Sequence, residues 1–247
     1  SLRRLCGWES LGEVPSEATF SRAFDAFARD GRPQKIHEAL IETHYGGKIA
    51  GHISRDATAI HAREKAGAKP KPPPKPRRGR RGRRRKDDPP APPPDPTRLQ
   101  RQLDRDLKAN LADLPKACDW GCKKNSQSRK ECWRGYKLHL DVIDGDIPVS
   151  AILTSASLHD SQAAIPLAQM SAGRIVNLYD LADAAYDAKE IRTMSTRLGH
   201  VAIIDDNPGR GDKCEFSPAE AVRYRERSGV ERVNSHLHEE HGGRHVR

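Results

Sequence analysis

The chain has 247 residues, with 44 Lys or Arg against 34 Asp or Glu, a formal net charge of +10. That length suits one α/β domain plus a smaller module, and the clustered basic excess favours a polyanionic partner. No apolar run approaches the roughly 18 residues of a membrane span and no signal peptide is visible. The five cysteines (Cys6, Cys118, Cys122, Cys132, Cys214) are an odd set without disulfide-scaffold density, so the chain reads as reduced, soluble and cytoplasmic. It begins at Ser1 without a methionine and stops at Arg247 within polar sequence, which reads as a fragment.

Residues 1–48 read as a helical module. Ser16 is the expected cap of a helix carrying Phe20, Ala23, Phe24 and Phe27 at helical spacing. Asp30-Gly31-Arg32-Pro33 stops it, and Ile36, Ala39 and Leu40 begin a second stripe. With Arg22, Arg29, Arg32 and Lys35 exposed, the module serves either to bind DNA or to cap the main domain.

The main domain occupies residues 49–247. Its first element, Ile49 to Ile60, reads as a core strand with Asp56 and Thr58 on the same face. An aspartate inside an apolar strand costs free energy unless it is paired or metal-bound. Residues 69–96 interrupt the domain with a Pro/Arg-rich stretch that cannot build a core and reads as a disordered insertion. Its Arg77, Arg78, Arg80, Arg81, Arg83, Arg84 and Arg85 would hold DNA phosphates without sequence preference and with strong salt dependence.

Thr97 then caps a helix with a single stripe of Leu99, Leu103, Leu107, Leu111 and Leu114, stopped by Pro115. Packing on the main domain is its first use and a dimer contact its second. Cys118, Cys122 and Cys132 raise a zinc site with His139 as the nearest fourth ligand, although their spacing fits structural zinc poorly.

Regular structure resumes with a strand from Gly135 to Ile143, a turn at Asp144-Gly145-Asp146 and a return strand from Ile147 to Ser155. A helix from Ser161 to Met170 leads to a buried strand that ends in Asp183, and in open α/β sheets that strand end is where ligands and metals sit. Asp160 reads as a helix cap and Asp187 as a turn residue. A helix from Lys189 to Leu198 and a strand from His200 to Asp205 follow. The fold class is therefore α/β, a mixed five-stranded sheet flanked by helices.

Ser217-Pro218-Ala219-Glu220 opens the last helix with a capping box and proline at the first helical position. At about 100° per residue, Tyr224, Arg227, Glu231 and His238 share one narrow face. Gly229 would let another backbone approach. Carboxylates from three separate elements, Asp56, Asp183 and Glu231, suggest a divalent-metal site for phosphoryl transfer.

The stretches Ser54–Ile60, Trp133–His139 and Ala182–Asp187, followed by Tyr224, Arg227 and Glu231, resemble the DDE transposases of bacterial insertion sequences, whose catalytic domain is ribonuclease-H-like. The last group follows that family's Y-x2-R-x3-E-x6-K pattern, with His238 at the lysine position. The resemblance implies a catalytic, metal-binding triad of Asp56, Asp183 and Glu231 holding two Mg²⁺ ions, for which Mn²⁺ would substitute. It implies DNA contacts from Tyr224, Arg227 and His238, cleavage at element ends, and strand transfer into double-stranded target DNA. It also implies a homodimer in a synaptic complex and no membrane partner. His238, mostly neutral above about pH 6.5, would grip phosphate more weakly than lysine. The alternatives are a truncated DNA-binding remnant without catalysis, a metal-dependent nuclease of the same fold, and a non-catalytic zinc protein.

Overall fold

The computed structural model describes residues 2–67, 95–124, 127, 129–207 and 215–246. The arginines from Arg77 to Arg85, and the disorder expected of their insertion, lie outside the described residues. Two compact units are present, Ser1–Gly47 and Lys48–Arg247.

The first unit contains α1 (Leu2–Leu5), α2 (Glu17–Arg29) and α3 (Arg32–Tyr45). Ser16 caps α2 by accepting the Thr19 N–H, and Gly31 turns the chain into α3 with φ at 63°. Ile41 is buried, whereas Phe20, Phe24, Phe27, Ile36 and Leu40 remain exposed. Of the basic residues, Arg29 pairs with Asp25, and Arg32 pairs with Asp30 at 3.1 Å.

The second unit is built on β1 (Ile49–Ala62), β2 (Asp119–Lys124), β3 (Lys130–Ile143), β4 (Ile147–Ser155), β5 (Val176–Ala182), β6 (Val201–Ile204) and β7 (His245–Val246). Its helices are α4 (Arg98–Leu103), α5 (Leu107–Ala112), α6 (Ser161–Ala172), α7 (Lys189–Arg197), α8 (Pro218–Tyr224) and α9 (Ser228–Glu239). The sheet runs β2-β3-β1-β5-β6, with β4 also on β3 and β7 also on β1. Strands β2, β4 and β1 pair with β3 antiparallel, while β5 and β7 pair with β1, and β6 with β5, in parallel. The α/β class and the mixed sheet are as the sequence predicts, but the five expected strands become seven among the described residues.

The largest addition is β2, in a stretch to which the sequence assigned no regular element, only candidate zinc ligands. Strand β3 extends back from Gly135 to Lys130, and β2 pairs along that extension. Gly135, with φ at 151°, marks the point where the partner on this edge of β3 changes from β2 to β4, and a Cβ there would strike the Ile60 carbonyl. The leucine stripe is also divided. Asp104 ends α4 and Asp106 caps α5 through the Ala109 N–H, so one predicted helix is two. Leu99 and Leu103 pack against a core of Ile165, Tyr186, Ile191, Met194 and Ile204, whereas Leu111 and Leu114 join Ile152, Leu158 and Leu167.

The two faces of the sheet are covered by different helices. On one, α6 reaches β3 through Ser171, whose hydroxyl donates to Asp141. On the other, α9 lays the fully buried Val230 against Leu140 and Val142. Gly229 admits a close neighbour, as its position suggests, but the neighbour is the Asp146 side chain from the β3–β4 turn and not a backbone. Asp146 also takes a bidentate ion pair from Arg232 of α9 at 2.7 and 2.8 Å.

Candidate active site

Alternation along β1 sends Ser54, Asp56 and Thr58 to one face, and the C-terminal helical segment meets all three. The Ser54 hydroxyl donates to the Glu226 carbonyl, Asn234 donates to Asp56 at 3.1 Å, and Thr58 lies 3.0 Å from Nε2 of His238. Strand β5 lies beside β1 in parallel, with Ser54 opposite Leu181. Asp56 lies two residues beyond Ser54 on β1, and Asp183 two residues beyond Leu181, past the end of β5. Asp183 stands just beyond β5 in extended backbone and accepts the Ala185 N–H at 2.9 Å, opening a 3-10 turn.

A cavity of about 250 Å³ opens beside Asp56, bounded also by Thr58, Lys123, Lys137, Asp160, Glu231 and Asn234. Asp183 is not among its lining residues, but it is electrostatically coupled to the site. Burial pushes the Asp56 carboxyl up to about 6; the charges of Asp183 and Asp160 add to the rise, while the Ala57 N–H and Arg227 oppose it. Asp183 also titrates above the ordinary carboxylate range, chiefly through burial, with Arg227 pulling it down and Asp160 and Asp205 pushing it up. These carboxylates are thus held where ionisation is costly and not fully compensated.

Glu231 reaches the same cavity from α9. Its side chain is 54% exposed and accepts from Arg227 at 2.8 Å. The Arg227 guanidinium also lies 5.6 Å from the centre of the Tyr224 ring, which packs on Phe216. Tyr224, Arg227 and Glu231 therefore form one group, as their spacing predicts. The helix is not uniform, however: a 3-10 turn at Arg225–Arg227 separates α8 from α9. His238 is apart from this group, against Thr58.

Two residues that the sequence reading set aside or passed over belong here. Asp160 precedes α6 but makes no side-chain cap; it accepts from Lys137 at 2.7 Å and faces the cavity. That corrects its reading as a cap, because its backbone is already helical and its carboxylate finds a stronger partner in the Lys137 ammonium. Asn234, which holds Asp56, lies three residues beyond Glu231 on α9, a spacing that could have marked it. Asp187 stays a turn residue, paired with Arg192 at 3.2 Å.

The zinc site and the fully reduced cysteine set are corrected. Cys122 and Cys132 face each other across β2 and β3, with Cα atoms 4.1 Å apart, and are joined by a disulfide. Cys118 is buried apart from them, near the Glu64 carbonyl. His139 is fully buried against the Thr154 hydroxyl at 2.9 Å, and burial lowers its imidazole to about 4. Among the described residues, no three His, Cys, Asp or Glu side chains form a group able to hold a metal ion, the expected triad included. The donor chemistry at Asp56 and Asp183 nevertheless suits a hard divalent cation, since both are carboxylates and the charge of the second makes ionisation of the first harder.

No helix among the described residues is long and apolar enough to cross a membrane. Comparison with protein-family models, with curated proteins and with solved structures finds no match to this chain.

Proposed function

We propose that this chain carries the catalytic domain of a DDE-type transposase with a ribonuclease-H-like fold, which cleaves DNA at element ends and transfers the strand into double-stranded target DNA. The observation that carries the reading is the Asp56–Asp183 pair. Two partly desolvated carboxylates, Asp56 on β1 and Asp183 just beyond the end of the parallel neighbour β5, lie close enough for the charge of Asp183 to raise Asp56; Arg227 acts on both and Glu231 lines the cavity beside Asp56. The strand order β4-β3-β1-β5-β6, antiparallel on one side and parallel on the other, is compatible with that fold.

In this reading Asp56 and Asp183 hold Mg²⁺ or Mn²⁺, and Glu231 is the third carboxylate. When bound, two such ions stabilise charge on the attacking and leaving oxygens of an in-line displacement at phosphorus. The protein's own groups do the rest. Asn234 fixes the orientation of the Asp56 carboxylate. Arg227, already facing the carboxylates, offers its planar guanidinium to a phosphate oxygen. Tyr224 and Phe216 form an aromatic wall beside it, suited to a sugar or base face. A homodimeric synaptic complex on element-end and target DNA completes the proposal.

Nicking of supercoiled plasmid in Mg²⁺ and in Mn²⁺ tests the reading. Loss of nicking in Asp183→Asn supports it, and equal nicking by that variant overturns it. A joining assay with a 3′-hydroxyl donor end then separates strand transfer from hydrolysis by a metal-dependent nuclease. A second reading, a DNA-binding remnant without catalysis, is favoured by two observations: Glu231 is engaged by Arg227, and no three-carboxylate group able to hold a metal is formed among the described residues. Salt-sensitive DNA binding with no nicking in either ion would carry that second reading.

A further inference from the structure

Strand β2 is an edge of the sheet and hydrogen-bonds to β3 alone among the described strands, from Asp119 opposite Gly135 to Lys124 opposite Lys130. Opposite residues of an antiparallel pair share a face, and successive residues alternate. Gly121 with Trp133, and Lys123 with Glu131, therefore take one face of this ribbon, and Cys122 with Cys132 takes the other. Trp133 and Lys123 line the carboxylate cavity. The disulfide between Cys122 and Cys132 lies on the far side of the same two strands, where both residues are exposed.

The cavity wall depends on this ribbon keeping its place. A Cβ at Gly121 would lie 2.6 Å from the Trp133 ring, so the glycine leaves the space that the buried indole fills. Trp133 Nε1 donates to the Tyr136 carbonyl at 3.2 Å, and the Lys137 ammonium stands 5.8 Å from the ring centre. Lys137 in turn pairs with Asp160 at the cavity. One line of contacts thus runs from Cys132 through Trp133 and Lys137 to Asp160, and a second runs from Cys122 to its neighbour Lys123. Strand β2 is otherwise weakly held, because it has one neighbour and its glycine and lysines are poor strand formers. The Cα atoms of Cys122 and Cys132 are 4.1 Å apart, the close spacing of a pair that exchanges no backbone hydrogen bonds. At that rung the S–S bond is the direct link.

We propose that Cys122 and Cys132 form a reversible redox switch, which holds Lys123 and Trp133 in the cavity wall as a disulfide and releases them as a dithiol. That the switch regulates catalysis rests on reading the cavity as the active site; the release of the wall does not. The reductant is a small thiol of the glutathione class. Its thiolate attacks one sulfur, and the S–S bond breaks to give a mixed disulfide and a cysteine thiolate. A second external thiol then frees the other cysteine. One external disulfide and two protein thiols result: two electrons pass to the protein, and the protons of the two external thiols end on the two cysteines. Exposure gives the attacking thiol access. Lys130 and Arg134, two residues to either side of Cys132 on its own face, favour that sulfur as the departing thiolate.

For the test, the full chain is equilibrated in glutathione buffers from oxidised to reduced. Alkylation with peptide mass spectrometry reads Cys122 and Cys132 separately from Cys6, Cys118 and Cys214, and amide hydrogen exchange on the same samples reads the ribbon. The two cysteines should be reduced together within the glutathione range. Reduction should speed exchange in β2 and in residues 130–134 about tenfold or more, with β1 and β5 unchanged, and reoxidation should reverse it. The Cys122→Ser, Cys132→Ser double variant should exchange like the reduced chain in every buffer. Plasmid nicking in Mg²⁺ should fall at least about fivefold on reduction, and nicking by the double variant should ignore glutathione. A pair that stays oxidised in every buffer is a structural disulfide and overturns the inference. Reduction that leaves exchange unchanged, or that removes protection throughout β1 and β5, overturns it too, as does nicking at one rate in both states. A chain that nicks in neither state fails the catalytic reading, and exchange still decides the switch.

Discussion

Arg55 and Asp56 are neighbours on β1, and their side chains go to opposite faces of the sheet. Arg55 is 2% exposed and forms a bidentate pair with Asp141 at 2.7 and 2.8 Å. Burial works against its charge, but the Asp141 carboxylate more than reverses this, so the guanidinium is held above its ordinary range. Ser171 completes Asp141, while Asn177 and His200 contact Asp180 nearby. On the other face, Asp56 accepts from the neutral amide of Asn234 and from the Ala57 N–H, and the charge of Arg227 only partly opposes its burial and the charges of Asp183 and Asp160. The comparison separates two kinds of buried carboxylate. Those on the α6 face are paired with cations and hydroxyls and serve the fold, although burial still holds Asp141 above its ordinary range against Arg55 and Ser171, while Asp180 is held below it. Those on the α9 face are held at a cost, as a functional site often is.

Breaking the paired face should have the largest effect on stability. Arg55→Met leaves Asp141 buried without its counter-charge, with an expected loss of about 3–5 kcal/mol in urea unfolding. The opposite face should behave in the opposite way. Asp56 has a folded-state value of about 6 against 3.8 for the unfolded group, so the native state binds the extra proton between those values. Its destabilising charge is absent below the lower value and fully present above the upper one, and stability falls as pH rises through that window. Asp56→Asn should therefore raise stability by about 1–2 kcal/mol at pH 7.5, with the gain fading towards pH 4, while nicking is lost. A destabilised Asp56→Asn at pH 7.5 would place this carboxylate with the structural ones. Smallest should be Glu231→Gln. It removes an exposed pair with Arg227, worth within about 0.5 kcal/mol, yet it should abolish nicking.

Half of this contrast was legible before the structure. Period-two alternation puts Asp56 and Thr58 on one face, and the apolar run into Asp183 announces a strand end. The spacing of Tyr224, Arg227 and Glu231 groups them on one helix. The Arg55–Asp141 pair was not legible, because residues 86 positions apart meet only through strand register. The β2 strand was hidden because Trp120, Gly121 and Cys122 show no clean alternation, and their cysteines suggested metal ligands in place of a cross-strand disulfide. The leucine stripe kept its four-residue spacing through Asp104 and Asp106, so spacing masked a break that the capping aspartate could have signalled. Asp160 was misread because a helix N-terminus is the commoner use for an aspartate, and Lys137, its partner, lies on a distant strand.

The proposal's central claim is that Asp56 and Asp183 are left only partly compensated because they would together hold a divalent cation. Isothermal titration of the metal-free chain with Mn²⁺ at pH 7.5, beside Asp56→Asn and Asp183→Asn, tests it most directly. The account predicts saturable binding by the wild type that is lost in both variants, with a rise in wild-type thermal stability as the site fills. Binding by both variants that equals the wild type, or no saturable binding by any of the three, would contradict it.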